Sequence, residues 1–350
     1  MTTLTKPITR LALPAQPSHA EFVAIKTALL SAVRDFVDIS ETRMARVLAP
    51  QLADAGALEL PAAGHRCYVA EQWLDCFGLP DQWKSRAVIT QGVRQSLSAL
   101  FAHWATTGAR VLLPADTYPV YAELARAAGC PFRTYQTFPE VDFSELHASS
   151  STVDVLLLPL PLKPRGGLLD SVEQRKLFAW LHSGINRRLV LDTVYNFDTR
   201  LQQVTRALVA FDQTIVLHSL SKAWARPLVT GVALLPAQDE AELAPVLRAL
   251  PVDRENLRLG QALLTHDQEQ PERLVAYLKV LQSELVTVLA DHDVAANLVQ
   301  NTDEPGQYLF VVPVDWRELL NEHLLLALPL SVFGSPLPGY SVVSSLPALP

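Results

Sequence analysis

The sequence predicts an α/β protein with a mostly parallel sheet covered by helices on both faces, together with a smaller α+β domain. Two observations carry this prediction. Short apolar segments of strand length alternate with longer segments of helical periodicity, which is typical of a sheet buried on both sides. The chain has 350 residues, of which 49% are hydrophobic and 19% charged. That length and composition allow two domains with a sizeable core.

The first part of the chain is predicted to be helical. Apolar residues such as Phe22 and Ile25 recur every three or four positions from Ala20 to Ala55. Residues Pro61 to Gly64 form a predicted turn, and Val69 to Phe77 reads as a further helix.

Strands and helices are predicted to alternate after this turn. Each apolar segment is short and is followed by a loop that leads into an amphipathic segment. The predicted strands are Ala87 to Thr90, Arg110 to Leu113, Val153 to Leu158, Leu189 to Leu191 and Thr214 to Leu217, and the predicted helices are Gln95 to Ala105, Tyr118 to Ala128 and Val172 to His182.

The pattern changes beyond Pro251. A long helical region from Arg254 to Leu289 precedes a strand-like segment from Tyr308 to Val314. We therefore predict a large domain over residues 61–250 and a small discontinuous domain formed by residues 1–60 and 251–350.

Composition excludes several classes of function. The net charge of −7 argues against binding to a phosphate backbone as the main function. Three scattered cysteines and nine scattered histidines show neither C-x-x-C nor H-x-x-x-H spacing, so we expect no metal site. The first twenty residues lack the apolar core of a signal peptide, and no apolar run is long enough to span a membrane. We expect a protein of the reducing cytoplasm.

The residues that end the predicted strands carry the chemistry, because ligands of open α/β sheets bind at the carboxyl ends of the strands. Lys222 follows Ser219-Leu220-Ser221 after one apolar strand. A partly buried lysine amine has a lowered pKa and can form a Schiff base with an aldehyde. Asp192 ends another strand, and a buried carboxylate needs a cationic or hydrogen-bonded partner such as a protonated pyridine nitrogen.

Other strand ends add an anion site and aromatic rings. The turn Gly92-Val93-Arg94 leads from a strand into a helix, and free N–H groups at a helix start suit a phosphate. Tyr118 follows a further strand, and Tyr195 follows the strand that Asp192 ends. A glycine turn, an aromatic ring, an aspartate, a tyrosine and a lysine thus follow one another along the strand ends. This ordered set is more specific than any one of its members.

These motifs together resemble those of the fold-type-I pyridoxal-phosphate enzymes, in particular the class I and II aminotransferases. The resemblance runs from about Pro61 to Pro236 and returns weakly at Phe333 to Ser344. It implies that Lys222, in an S-x-S-K motif, forms the internal aldimine with pyridoxal 5'-phosphate and later moves a proton between substrate and cofactor. It also implies a homodimer with the active site at the subunit interface.

The resemblance also assigns contacts to the cofactor. In a D-x-x-Y motif, Asp192 would hold the pyridinium charge and Tyr195 would hydrogen-bond the phenolic oxygen. Tyr118 would stack on the pyridine ring. The phosphate would lie in a cup formed by Gly92, Val93, Arg94 and Ser219.

Three positions depart from the family pattern. Lys163 stands where an asparagine of the family bonds the phenolic oxygen, and a lysine could still donate to a phenolate. Thr230 stands where the family has a phosphate-binding arginine, so we expect Arg226 or Arg94 to substitute. Val342 stands where an arginine binds the substrate carboxylate, and valine cannot form that bidentate pair.

The sequence thus predicts a pyridoxal-phosphate-dependent aminotransferase that acts on an amine or amino acid. A first alternative keeps the cofactor but changes the reaction to elimination, replacement, decarboxylation, cyclisation or oxidation. A second alternative is a cofactor-binding module without turnover, against which the intact Lys222 and Asp192 count.

Overall fold

The fold is described from a computed structural model of the chain. The residues that it describes are 12–32, 36–48, 59–117, 119–147, 152–196, 199–226, 230–294 and 307–347. Residues 33–35, 49–55 and 118, which belong to predicted helices, lie outside these ranges.

A seven-stranded sheet forms the centre of the described structure. Its strand order is β2-β8-β7-β6-β5-β3-β4, and β8 runs antiparallel to both of its neighbours while the remaining pairs are parallel. The predicted mostly parallel sheet is therefore confirmed. The strands are β2 Ala87–Thr90, β3 Arg110–Pro114, β4 Phe132–Tyr135, β5 Asp154–Pro159, β6 Arg187–Asp192, β7 Thr214–Ser219 and β8 Gly231–Leu234.

Both faces of this sheet are buried, as its continuous apolar strands require. Every residue of β5 is buried. Alternate residues of this strand belong to two separate apolar clusters: Val155 and Leu157 to one, Leu156 and Leu158 to the other. Since successive side chains of a strand point to opposite faces, each face packs against its own layer of helices.

The helices begin and end at recognisable capping residues. Asp170 and Glu173 form a capping box at the start of α6, and Gly108 ends α4 in the left-handed conformation with a φ of 70°. The helices are α1 His19–Ala32, α2 Met44–Leu48, α3 Arg66–Cys76, α4 Val93–Thr107, α5 Val120–Ala127, α6 Ser171–His182, α7 Thr199–Val209, α8 Leu220–Ala223, α9 Ala237–Arg248, α10 Arg254–His266, α11 Gln270–Asp291 and α12 Trp316–His323.

A second, three-stranded antiparallel sheet is built from the C-terminal part, in the order β11-β12-β9. The N-terminal segment contacts this part of the chain: β1 pairs in parallel with β10, and the rings of Phe22 and Trp316 lie 5.8 Å apart. The division into domains over 61–250 and over 1–60 with 251–350 remains a prediction. The strands are β1 Val37–Asp38, β9 Leu309–Val312, β10 Leu325–Leu326, β11 Leu328–Pro329 and β12 Ser341–Ser344.

Two predicted helical segments differ from the structure. The segment Ala20 to Ala55 contains α1, then the short β1, then α2, because β1 pairs with a C-terminal strand that local periodicity does not reveal. The segment Arg254 to Leu289 is divided into α10 and α11, and the Asp267 amide closes the end of α10 on the Leu263 carbonyl. No helix among the described residues is long and apolar enough to cross a membrane.

Candidate active site

A cavity of about 510 Å³ lies at the carboxyl ends of the central strands. β2, β6 and β7 run in the same direction, so Thr90, Asp192 and Ser219 end at the same edge of the sheet. The structure brings most of the predicted site residues together here. The predicted residues that line the cavity are Gly92, Val93, Arg94, Lys163, Asp192, Tyr195, Ser219 and Lys222. A larger groove of about 670 Å³ beside Phe138 contains none of them.

Two predicted site residues are not among those that line the cavity. Tyr118 lies outside the described residues. Arg226 is half-buried, and its charge acts on Asp267 instead. Burial raises the pKa of the Asp267 carboxyl, and the positive charges of Arg273 and Arg226 oppose that rise.

Lys222 is held in the short helix α8, directly after β7. Ser219 caps this helix by accepting a hydrogen bond from the Ser221 backbone N–H, and the two serine hydroxyls lie 3.0 Å apart. Burial, with repulsion from Arg94, lowers the pKa of the Lys222 amine. The Nζ atom lies 5.7 Å from the centre of the Tyr195 ring. A lowered pKa raises the fraction of unprotonated, nucleophilic amine.

Asp192 is a buried carboxylate at the end of β6. It accepts hydrogen bonds from the Tyr121 hydroxyl at 2.7 Å and from the Val194 N–H at 3.1 Å. Burial raises the pKa of Asp192, and these two hydrogen bonds oppose that rise. Burial beside this carboxylate also raises the pKa of Tyr121 well above its ordinary value, so the phenol remains a hydrogen-bond donor.

The start of α4 has the geometry that the predicted anion site requires. Gly92 is its N-cap residue, has a φ of 88° and lacks a side chain that could cap the helix. A Cβ atom on Gly231 would lie 2.6 Å from the Gly92 Cα, so the two backbones approach as closely as glycine allows. The helix N–H groups thus face the cavity beside the Arg94 side chain and the Ser219 and Ser221 hydroxyls.

Thr230 does not replace the phosphate-binding arginine of the family. Its side chain is fully buried and donates a hydrogen bond to the Asn256 carbonyl at 2.8 Å, which ties it to α10. Of the two arginines that the sequence offers as substitutes, the structure places Arg94 at the cavity.

Lys163 lies between two tyrosine rings. Its Nζ atom is 4.4 Å from the centre of the Tyr195 ring and 4.5 Å from that of Tyr308. The atom is buried, and no hydrogen-bond partner is found for it in the described part of the chain. Burial, with repulsion from Lys222, lowers the pKa of Lys163 to about 7.

Val342 has no access to the cavity. It is fully buried in β12, where it pairs with Leu328 on one side and with Val311 on the other. Phe333, from the part of the sequence that resembles the family again, does line the cavity. Gly334 packs directly on the Ala115 carbonyl with a φ of 89°, which brings Phe333 to the end of β3.

His218 is a core residue rather than a base at the site. Its Nδ1 atom accepts a hydrogen bond from Trp73 Nε1 at 2.9 Å, and its ring packs at 4.6 Å on Phe77. Burial lowers its pKa to about 3, so the ring is neutral. Within the described ranges, no group of three His, Cys, Asp or Glu side chains could hold a metal ion.

Several residues of the cavity were missed by sequence reasoning. Tyr121 lies three positions after Tyr118 within the predicted helix Tyr118 to Ala128, a spacing that could have drawn attention to it. Tyr308, Thr42 and Arg43 come from distant parts of the chain and carry no motif. The Tyr308 hydroxyl lies 2.9 Å from that of Tyr195, so a C-terminal residue completes the site.

Comparison with known families agrees with this geometry. The sequence model of the family described as aminotransferase class I and II matches residues 62–340, about four fifths of the chain. The chain belongs to this family. Members of the family are transferases that use pyridoxal phosphate, so the chain is a pyridoxal-phosphate-dependent aminotransferase. A search of curated proteins gives no match.

Solved structures share the fold at low sequence identity. The methionine aminotransferase YbdL from Escherichia coli is 18% identical, with a TM-score of 0.70 over 98% of this chain and 96% of that one. An aspartate aminotransferase double mutant from Thermus thermophilus is 19% identical, with a TM-score of 0.68 over 99% and 96%. A C-S lyase from Staphylococcus hominis is 13% identical, with a TM-score of 0.66 over 88% and 84%.

The residues of the cavity fit the cofactor. Asp192 provides a buried negative charge for a protonated ring nitrogen, and the α4 start provides N–H groups for a phosphate. The same cavity is lined by Lys222 and by Lys163, whose Nζ atom lacks a hydrogen-bond partner in the described structure. A pyridoxal phosphate molecule would supply an aldehyde for the first and a phenolic oxygen for the second.

Proposed function

We propose that this aminotransferase transfers the amino group of an amine or amino acid with Lys222 as its catalytic residue. One observation carries the proposal: the cavity that Lys222 lines is also lined by Asp192 and by the residues at the start of α4. These are the three groups that a cofactor with an aldehyde, a pyridine ring and a phosphate needs.

When bound, pyridoxal phosphate supplies an aldehyde that condenses with amines and a pyridine ring that accepts electrons. Lys222 would bond the aldehyde carbon in the resting enzyme and, once released by the incoming amine, would carry a proton between the substrate carbon and the cofactor carbon. The lowered pKa of Lys222 supports both roles, because an unprotonated amine is at once a nucleophile and a base.

The neighbouring residues hold the cofactor and set its electronic state. Asp192 stabilises a proton on the ring nitrogen, and Tyr121 keeps the carboxylate oriented. Tyr195 and Lys163, which line the same cavity, would hydrogen-bond the phenolic oxygen. Gly92, Val93, Arg94 and Ser219 bind the phosphate, and Tyr118 is proposed to stack on the ring.

Half-reactions with a panel of amines and amino acids test the reaction type. Amino-group transfer predicts that the visible absorption of the loaded enzyme is lost as the cofactor takes up the amino group, and that an equimolar amount of oxo product appears. Addition of a 2-oxo acid should then restore the absorption. Release of ammonia without transfer would refute the proposal.

A second candidate reaction keeps the same cofactor. The burial of Val342 favours it, because the family arginine for a substrate carboxylate is replaced by a core residue. Elimination, replacement, decarboxylation, cyclisation or oxidation would then follow from the same covalent attachment to Lys222. In the half-reaction, ammonia identifies elimination, carbon dioxide decarboxylation and hydrogen peroxide oxidation, whereas replacement and cyclisation are identified by mass spectrometry of the product.

We further propose that the enzyme works as a homodimer in the cytoplasm. The aminotransferase resemblance supports the dimer, and helix α1 leaves Val23 and Leu30 about half exposed, as an interface would require. Sedimentation equilibrium should give twice the mass of the chain. A monomer that retains full activity would contradict the dimer.

A further inference from the structure

A pair of tyrosine hydroxyls joins the end of β6 to the C-terminal part of the chain. The hydroxyls of Tyr195 and Tyr308 lie 2.9 Å apart, although the two residues are 113 positions apart in the sequence. Tyr308 is almost fully buried directly before β9, and its ring centre lies 5.8 Å from that of Tyr195. A side chain from outside the central sheet thus contacts a residue that the proposed function assigns to the cofactor.

Three contacts fix the position of Tyr308. Its carbonyl accepts a hydrogen bond from the Ser345 N–H at 2.9 Å, which extends the pairing of β9 with β12. The neighbouring Gln307 is fully buried and packs on Gly166, where a Cβ atom would overlap the Gln307 side chain. The Tyr308 ring centre lies 4.5 Å from the Lys163 Nζ atom. The Tyr308 hydroxyl is therefore held in place by the fold itself, as a residue that positions another requires.

The direction of the hydrogen bond between the two tyrosines follows from a count of hydrogens. A phenol has one hydrogen to donate and two lone pairs that accept. Under the proposed function the Tyr195 hydrogen is donated to the phenolic oxygen of the cofactor, so the hydrogen between the two tyrosines comes from Tyr308. A second acceptor, the Thr42 carbonyl, lies 3.4 Å from the Tyr308 hydroxyl, which is longer than the usual O–H···O distance. Tyr195 is the better acceptor of the two.

We propose, resting on the function proposed above, that Tyr308 is a positioning residue: by donating to Tyr195 it orients the Tyr195 hydroxyl toward the phenolic oxygen and strengthens the hydrogen bond that this hydroxyl donates. Hydrogen bonds in a chain polarise one another, and they do so more strongly inside a protein than in water. Tyr308 acts through Tyr195, so the C-terminal part of the chain tunes the charge on the cofactor.

A spectral titration of the loaded enzyme without substrate tests this role. The visible absorption changes as the pH rises, because a proton is lost from the bound cofactor and negative charge on the phenolic oxygen increases. A weaker hydrogen bond to that oxygen disfavours the deprotonated form and moves the midpoint of the titration to higher pH. We expect Tyr308→Phe to raise this midpoint by roughly 0.3 to 1 pH unit, since part of one hydrogen bond is lost.

Two comparisons separate this role from a structural one. In a Tyr195→Phe background, Tyr308→Phe should leave the midpoint unchanged, because the residue through which Tyr308 acts is already altered. Tyr135→Phe removes another buried hydroxyl, which donates to the Leu157 carbonyl at 2.6 Å, and should also leave the midpoint unchanged. All of these variants retain the other charged and titratable groups that line the cavity among the described residues, namely Arg43, Arg94, Tyr121, Lys163, Asp192 and Lys222.

The inference is overturned if Tyr308→Phe leaves the midpoint unchanged or lowers it, or if the shift is equally large in the Tyr195→Phe background. It is also overturned if Tyr308→Phe no longer binds the cofactor, since a residue that acts through Tyr195 is not needed for attachment. Urea unfolding checks that this variant, which keeps the ring against Lys163, is as stable as Tyr135→Phe. Failure of the proposed function would look different: the wild type would lack visible absorption, or it would release ammonia from substrates while the titration without substrate still showed the shift.

Discussion

The hydroxyl of Tyr121 donates a 2.7 Å hydrogen bond to the carboxylate of Asp192, and both groups are buried at the floor of the cavity. This contact links the first residue of the D-x-x-Y motif to a helix that follows a different strand. Because burial raises the pKa of Asp192 and the Tyr121 hydrogen bond opposes that rise, the tyrosine helps to keep the carboxylate charged. The role proposed for Asp192, which needs a charged carboxylate, therefore depends on a residue outside the motif.

Replacement of Tyr121 by phenylalanine should affect both stability and transfer. We expect a loss of about 1 kcal/mol in the free energy of unfolding and roughly a tenfold slower half-reaction, because Asp192 holds a ring proton less well. Stopped-flow absorbance and urea unfolding measure the two effects. Tyr135→Phe is a matched control, since its buried hydroxyl donates to the Leu157 carbonyl at 2.6 Å away from the cavity. It should lose similar stability with an unchanged rate. Equal rates for both variants would refute the role of Tyr121.

Replacement of Gly231 by alanine should weaken binding of the phosphate group. The added Cβ atom would lie 2.6 Å from the Gly92 Cα and would push the start of α4 away from β8. We expect cofactor affinity to fall at least about tenfold, since displaced N–H groups lose their hydrogen bonds to the phosphate. Equilibrium dialysis measures this change. In the control Gly184→Ala, the nearest contact of the new Cβ is 3.6 Å away at the Arg187 side chain, so affinity should be unchanged. If the Gly231→Ala variant bound the cofactor as tightly as the wild type, the phosphate would not bind at the start of α4.

Replacement of Lys163 by methionine should stabilise the cofactor-free protein. Burial lowers the pKa of this amine from 10.5 to about 7, so between these values the unfolded chain holds a proton that the folded chain lacks. The stability contributed by this group therefore rises with pH across that window, and the amine destabilises the fold below it. We expect Lys163→Met to gain about 3 kcal/mol at pH 8 and less than about 1 kcal/mol at pH 10. Urea unfolding at the two pH values measures the difference.

An exposed lysine provides the comparison for this stability effect. Lys176→Met should change the free energy of unfolding by less than about 0.5 kcal/mol at either pH. If Lys163→Met were less stable than the wild type, or if its change in the free energy of unfolding did not depend on pH, the amine of Lys163 would not be buried.

His218 should make the fold sensitive to acid. Burial lowers its pKa from 6.5 to about 3, so between these values the unfolded chain binds a proton that the folded chain does not. The contribution of His218 to the free energy of unfolding is fully present above pH 6.5. It decreases as the pH falls, by about 2 kcal/mol at pH 5. The difference between unfolding free energies at pH 7 and pH 5 measures it. His218→Gln should shrink that difference; an unchanged difference would show that other groups cause it.

The ends of β6 and β7 were predictable from sequence because each of these strands contains a short apolar run that is followed by polar residues. Asp192 and Lys222 stand out for this reason, and the parallel direction of β6 and β7 brings them to one edge. The strand β8 was not predicted. Gly231–Leu234 has only four residues, and its place in the sheet depends on pairing with β2 and β7, which the local sequence does not reveal.

Contacts between distant parts of the chain were not predictable in the same way. Tyr308 reaches Tyr195 only because the C-terminal segment folds over the cavity, and no local pattern records that approach. The environment of Lys163 is a further example. Its sequence position indicates a contact with the cofactor, but its burial between two rings without an anionic partner emerges only from the folded chain.

Attachment of the cofactor to Lys222 is tested most directly by identifying the lysine that carries it. The loaded enzyme is reduced with borohydride, digested and analysed by peptide mass spectrometry, with Lys222→Ala and Lys163→Met treated in parallel. We predict that the reduced cofactor is attached to Lys222 in the wild type and in Lys163→Met, and that Lys222→Ala has no attachment and no visible absorption that borohydride removes. Attachment to Lys163, or a reducible absorption retained by Lys222→Ala, would show that Lys222 is not the residue that carries the cofactor.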